Sequence, residues 1–340
     1  MSKVLITGSS GFIGGYVVSE LLKSGHEVVG LDNLSKYGRV IRNFDDNDHY
    51  TFVEGDATDV ALVTELLDGC DHLIAGAALI GGISYFHEYA YDLLANNERI
   101  IAATCDAAIA AHASGSLQKV TYISSSMVFE STDHWPSVEG DERRVPPPLS
   151  SYGFQKLAVE YFAKAAWDQY RLPYTIVRPF NCVGIGEVRA LGEAVVESGS
   201  VKLAMSHVVP DIVQKVVHGQ DPVHLLGDGS QIRHYTYGGD LASGIVACME
   251  HADALNNDFN LSTAQSTTVL ELAENIWHRI NGDRKFAWVS DDPFEHDVQK
   301  RVPSVDKARD VLGFECTTTL DEMLDTVVPW IIQAVADGLI

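Results

Sequence analysis

The chain has 340 residues, 46% of them hydrophobic, and its 47 acidic against 24 basic residues leave a formal net charge of −23. That length can bury a large core in one domain or two, and the apolar content excludes a disordered polyelectrolyte. The acidic excess argues against a nucleic-acid partner, which needs a basic face, but not against a small phosphate ligand held by a few local N–H groups.

Taken in chain order, strand and helix signals alternate through the first half. The spacing predicts a strand at Lys3–Thr7, a helix at Phe12–Lys23, strands at Glu27–Leu31 and Tyr50–Glu54, and a short helix at Val60–Leu67. A strand at His72–Ala75 and a long Ala-rich helix from Glu88 to Ala113 follow. Next come a strand at Lys119–Ser124, a helix at Ser151–Tyr170 with Ser150 as N-cap, and a strand at Tyr174–Arg178. This order implies an α/β fold, a doubly wound parallel sheet with helices on both faces. After Asn181 the alternation loosens, with helices expected near Asp211–Val217, Asp240–His251, Val269–Ile280, Val305–Leu312 and Leu320–Ala336. We therefore expect a dinucleotide-type domain at 1–180. A smaller α/β substrate domain is expected at 181–340, with some of its segments returning to the first. Open sheets of this kind bind ligands at their carboxyl edge.

The five Cys are scattered and form no CxxC pair, which fits reduced thiols in a cytoplasmic protein better than disulfides or zinc. No secretory leader is evident, and the longest apolar stretch, near residues 73–86, is too short and glycine-rich to cross a bilayer. Neither a membrane nor a metal is expected as a partner. His87-Glu88 and Glu295-His296-Asp297 lack zinc spacing and read as solvated surface.

Three features carry chemistry. Thr7-Gly8-Ser9-Ser10-Gly11-Phe12-Ile13-Gly14 follows a strand and opens a helix. Its glycines allow a tight turn, close approach of a pyrophosphate, and helix-on-strand packing. The helix end adds free N–H groups and a positive dipole. Asp32 closes the second strand, where a carboxylate accepts hydrogen bonds from an adenosine ribose and repels a 2′-phosphate, favouring NAD over NADP; Arg39 and Arg42 downstream weaken that preference slightly. Asp56 is placed to meet the adenine. Tyr152 and Lys156, at i and i+4, share a helix face. A nearby ammonium lowers a phenol's pKa, and the phenolate can take a proton from a sugar hydroxyl. Ser124-Ser125-Ser126 ends the fifth strand, at the edge where chemistry is expected.

With these residues in order, the sequence resembles the extended short-chain dehydrogenases/reductases, and more narrowly the NAD-dependent nucleotide-sugar epimerase/dehydratase family. Arg178-Pro179-Phe180-Asn181 and Gly227-Asp228-Gly229 through Arg233 add to the likeness, which covers nearly the whole chain. The resemblance implies a Rossmann domain with a small substrate domain, and NAD as cofactor. It assigns the cofactor to Gly8, Gly11, Phe12, Ile13, Gly14, Asp32, Asn33, Asp56, Ala57, Ala75, Gly76, Ala78, Asn97, Ser124, Tyr152, Lys156 and Pro179. Ser125 becomes the catalytic hydroxyl, Tyr152 the acid/base and Lys156 its tuner. Ser125, Ser126, Asn181, His207, Arg233 and Arg301 fall on the side of a nucleotide-diphosphate sugar, as does Asp297. A homodimer built from the helices at 88–113 and 151–170 is a further family expectation.

The reaction implied is 4-epimerisation by transient C4 oxidation, rotation of the 4-keto sugar and hydride return. Family dehydratases carry an Asp-Glu pair after the catalytic hydroxyl; here Ser126 and Met127 stand there, and neither moves a proton at neutral pH. The loop Gly81–Phe86 is similar to that of 3,5-epimerases, which use a Cys at the place of Met127. The alternatives are a 4-keto-sugar reductase or dehydrogenase using NAD(P), a 3,5-epimerase-like enzyme, and a non-catalytic NAD-binding protein. The acidic surface must be interrupted by positive potential at Gly11–Gly14, Lys156 and Arg233, because the expected ligands are anions.

Overall fold

The computed structural model describes residues 1–80, 89–191, 196–198, 201–203, 207–292 and 298–340. The loop Gly81–Phe86, His87, Glu88 and Glu295–Asp297 lie outside the described residues.

Seven strands form one parallel sheet: β1 (Lys3–Thr7), β2 (Glu27–Asp32), β3 (Tyr50–Glu54), β4 (His72–Ala75), β5 (Lys119–Ile123), β6 (Tyr174–Pro179) and β7 (Asn257–Leu261). Their order is β7-β6-β5-β4-β1-β2-β3. The central strands β1, β5 and β6 are almost wholly buried, which is why they read as continuous apolar runs; β3, at one edge, keeps exposed residues. The other edge strand, β7, is absent from the sequence reading. Its Asn-Asp-Phe-Asn-Leu run lacks the apolar continuity of the rest. Phe259 and Leu261 are nevertheless fully buried beside β6.

Helices cover both faces. On one lie α2 (Val60–Leu66), α3 (Ala90–Ser114) and α4 (Ser151–Tyr170), which share an apolar cluster with the sheet through Val63, Ala107 and Val159. α3 begins at Ala90 and ends on Gly115, whose φ of 90° is the left-handed conformation that terminates a helix. Ser150 caps α4, accepting the Gly153 N–H at 3.0 Å. On the other face α1 (Phe12–Lys23) packs against the helix Gly238–Glu250, its Val17, Val18 and Leu21 sharing an apolar cluster with Leu241, Ile245 and, from the helix Asp306–Leu312, Ala308. Late parts of the chain thus build the sheet and its helical layer.

A separate apolar cluster joins the helices Val208–Val217, Val269–Asn281 and Leu320–Ala336, through residues such as Ile212, Trp277 and Val327. Short strand pairs complete this part: Val223–Leu226 with Trp288–Asp291, and Ile232–Arg233 with Thr267–Thr268. Among the described residues no helix is long and apolar enough to cross a membrane.

Candidate active site

The carboxyl ends of β1, β2, β4, β5 and β6 open on a cleft of about 640 Å³ between the sheet and the helix Val208–Val217. At its first end lies the glycine turn. Gly8, at φ 78°, accepts the Gly11 N–H at 3.1 Å. A Cβ on Gly14 would lie 2.0 Å from the Gly8 oxygen, so no side chain fits there. Gly11 caps α1 without a side-chain hydrogen bond, leaving the first N–H groups of the helix for a ligand. Thr7 Oγ1 accepts the N–H groups of Gly76 and Ala77 at 3.2 Å each, tying the end of β1 to that of β4.

Asp32 stands beside the turn. Its Oδ2 accepts the Ser10 N–H at 3.0 Å and its Oδ1 the Leu34 N–H at 2.8 Å. Each oxygen keeps a further lone pair for a ribose hydroxyl. Asn33 donates to Asp56 at 3.0 Å, and hydrogen bonds from Thr58 and Asn33 hold the Asp56 carboxyl below its usual range. A glycine cradle, uncapped helix N–H groups and a carboxylate at the end of β2 fit a dinucleotide.

The cleft wall includes Gly8, Gly11, Phe12, Ile13, Gly14, Asp32, Asn33, Asp56, Ala57, Gly76, Ala78, Ser124, Tyr152, Lys156 and Pro179. Two residues assigned to the cofactor stand elsewhere. Ala75 is the last residue of β4 and is not among the residues that line the cleft. Asn97 is buried, and its amide clamps the Leu79 backbone, accepting N–H at 2.7 Å and donating to O at 2.9 Å. Asn96 faces the cleft instead. One residue turns a helix by about 100°, so the neighbours occupy different faces.

At the centre, Ser125 and Tyr152 are joined by a hydrogen bond. Ser125 also caps a single 3-10 turn, Ser126–Phe129, accepting the Met127 N–H at 3.2 Å. Burial raises the Tyr152 phenol; the Ser125 bond and the Arg301 charge pull it part of the way down. Lys156 Nζ lies 6.0 Å from the Tyr152 ring centroid and donates to the Ile123 carbonyl at 3.0 Å. Burial pushes its pKa down to about 8.

Ser124 Oγ donates to Glu160 Oε1 at 2.8 Å. Glu160 is the third rung of the face that carries Tyr152 and Lys156, and Arg178 grips it from β6 with two bonds of 2.7 Å. The spacing Tyr152, Lys156, Glu160 was available in the sequence, but a helical carboxylate there reads as surface.

The far end carries the cations. Arg233 is buried in its short strand, donating to the carbonyls of Ile232 at 2.9 Å and Gln299 at 3.3 Å. The Arg301 N–H bonds the Ile232 carbonyl, which brings both arginines to one wall. Asn181, with φ 37°, reaches the His234 carbonyl, and Ser126 and Asn181 line the cleft. His207 Nδ1 pairs with Glu187, whose carboxyl burial raises and His207 lowers, for a net fall. Glu187, Asp211, Lys215, Gln231, Tyr235 and Trp330 also face the cleft. No motif marks them, because they gather from separate elements. Asp297 lies outside the described residues.

Comparison with known proteins agrees with this geometry. The NAD dependent epimerase/dehydratase family matches residues 4–262. A UDP-glucose 4-epimerase of Halalkalibacterium halodurans is 26% identical over 325 residues, covering 92% of this chain and 90% of that protein. The UDP-glucose 4-epimerase of Thermotoga maritima, solved with UDP-glucose, superposes with a TM-score of 0.79 at 25% identity, covering 98% of this chain and 99% of that one. MoeE5, solved with UDP-glucose and NAD, gives 0.78 at 25% identity over 98% of this chain and 99% of that one. The chain belongs to the NAD dependent epimerase/dehydratase family and is an NAD-dependent enzyme of the extended short-chain dehydrogenase/reductase type.

Proposed function

We propose that this member of the NAD dependent epimerase/dehydratase family is a nucleotide-sugar 4-epimerase, and that its substrates are UDP-hexoses. The observation that carries the reaction is the centre of the cleft: a hydrogen-bonded Ser125–Tyr152 pair beside Lys156, followed by Ser126 and Met127 where an elimination needs acids. The uridine comes from what the relatives named above act on or were solved with.

Bound in this site, NAD would supply the reversible hydride acceptor that such a reaction needs. Tyr152 takes the C4 hydroxyl proton and later returns it, while Ser125 holds that oxygen in line. Lys156, with Ser124 near it on the cleft wall, would hold the ribose at the nicotinamide end. Gly8, Gly11, Phe12, Ile13, Gly14, Asp32, Asn33, Asp56, Ala57, Gly76, Ala78 and Pro179 hold the rest. Arg233 and Arg301 grip the diphosphate, since a guanidinium fork matches phosphate oxygens. Ser126, Asn181 and His207 line the sugar side. A single firm anchor at the diphosphate lets the 4-keto sugar turn over before hydride returns.

In this reading residues 1–180 serve the cofactor and 181–340 the substrate, with β7 and its neighbouring helices returned to the first. The enzyme works in the cytoplasm, its five cysteines unpaired. It acts as a homodimer through α3 and α4, where Tyr91, Phe154 and Tyr161 are exposed. The test is a panel of UDP-, GDP-, CDP- and dTDP-hexoses followed by NMR. Conversion of UDP-hexoses to their C4 epimers supports the proposal, and turnover confined to another nucleotide overturns the uridine part of it.

A further inference from the structure

The glycine turn is supported from beneath by a cation that is not on the cleft wall. Arg42 Nη2 donates to the Ser10 carbonyl at 3.2 Å. Its guanidinium fills room left by two glycines. A Cβ on Gly15, in the first turn of α1, would lie 3.3 Å from its Cζ, and one on Gly186 would lie 2.6 Å from its Nη1. Gly186 also has a φ of 86°, so the position suits glycine twice over. The same Ser10 gives its N–H to Asp32 at 3.0 Å, so that residue is held through both its amide and its carbonyl.

The charge of Arg42 is poorly compensated. Among the described residues no carboxylate forms an ion pair with it, and its Nε is buried without a hydrogen-bond partner. The acidic group beside it, Asp45, accepts the Arg42 backbone N–H at 2.9 Å rather than the guanidinium. The phenols of Tyr16 and Tyr50, which also face it, are raised by burial and so carry no charge at pH 7. A half-buried guanidinium on one neutral carbonyl has lost water without gaining an anion, which is costly until an anion arrives. In a chain with net charge −23, 47 acidic residues were available to neutralise it.

We propose that Arg42 is a positioning residue for the cofactor: wedged under the turn Gly8–Gly14, it lends positive potential to the pyrophosphate and ties the turn to the segment at Gly186. This rests on the NAD site described above. It differs from a 2′-phosphate reader, because the guanidinium is turned to Ser10 and not to the cleft.

The experiment is a fluorescence titration of the protein with NADH, followed by displacement with ADP or with adenosine, which lacks the diphosphate. Arg42→Met should weaken ADP about tenfold and leave adenosine within about twofold, and Arg42→Lys should recover most of the loss. Equal weakening of ADP and adenosine would reduce Arg42 to a structural prop, and unchanged ADP affinity would remove it from the site; either overturns the proposal. If Arg42→Met does not fold, the same comparison is made between Arg42→Lys and Arg42→Gln, and equal ADP affinity in those two overturns it. A wild-type protein that binds no NADH would instead count against the NAD site itself.

Discussion

Replacing Arg178 tests how α4, the helix of Tyr152 and Lys156, is held. The Arg178 guanidinium is fully buried in β6 and stacks on Phe129 with Cζ 5.3 Å from the ring centroid. Its Nε and Nη2 each bond Glu160 at 2.7 Å; Nη2 also lies 2.8 Å from Asp258 and 3.3 Å from Glu142. Lys164 and Lys307 join the group, at 3.4 Å from Glu142 and 2.8 Å from Asp258. With Arg143 at 3.3 Å from Glu142, four cations meet three carboxylates, and Arg178→Met leaves the buried Glu160 carboxylate with Lys164, at 3.7 Å, as its remaining ion-pair partner. Removing one partner of a buried pair costs about 3–5 kcal/mol, a large share of a typical domain's 5–15 kcal/mol.

The acid limb should move too. Asp258 is held at about 2 by Arg178 and Lys307 despite its burial, against 3.8 in the unfolded chain. A carboxyl depressed on folding contributes stability above 3.8 that is lost as pH falls through about 2, here about 2 kcal/mol. Without Arg178 that depression shrinks, so the variant should lose less stability between pH 4 and pH 2 than the parent does, from a lower start. Urea denaturation at pH 7 and across the acid range measures both effects. Arg178→Met/Glu160→Met removes the stranded carboxylate and should recover most of the loss at pH 7. A single variant within about 1 kcal/mol of the parent, or a double variant worse than the single, would contradict this role for Arg178.

Gly14→Ala should weaken NADH binding by at least about thirtyfold, because its Cβ would press to 2.0 Å from the Gly8 oxygen and push the turn out of shape; unchanged NADH titration would contradict this. The pH profile of kcat should rise with pH, since Tyr152 is raised by burial and must lose its proton to act. Arg301→Met removes a cation that pulls the phenol down, so that rising limb should move to higher pH; a limb that stays or moves to lower pH would contradict the assignment. The profile should level or fall above about pH 8, where Lys156 loses its charge.

Most of the sheet was legible because six of its strands carry apolar or β-branched runs at a spacing that alternates with helices. β7 was not, since an edge strand needs only part of its side chains buried, and Asn257–Leu261 shows only Phe259 and the residues after it buried. The glycine turn, Asp32 and the Tyr152–Lys156 pair were legible because turns and helix faces are local properties of the chain. What pairs across the cleft was not. The Arg301 charge reaches Tyr152 from about 150 residues away, and Glu160 meets Arg178 only once α4 is laid against β6. Asn97 shows the same limit at its smallest scale. Its amide holds the Leu79 backbone, while the helix phase turns the neighbouring Asn96 to the cleft.

In the proposed reaction a hydride leaves C4 and returns to it. Purified protein incubated with a UDP-hexose in D₂O and followed by ¹H NMR tests it directly. The predicted result is the C4 epimer with hydrogen retained at C4, no deuterium at C3 or C5, and no accumulated NADH. Deuterium at C3 or C5, or NADH accumulating with turnover, would contradict it.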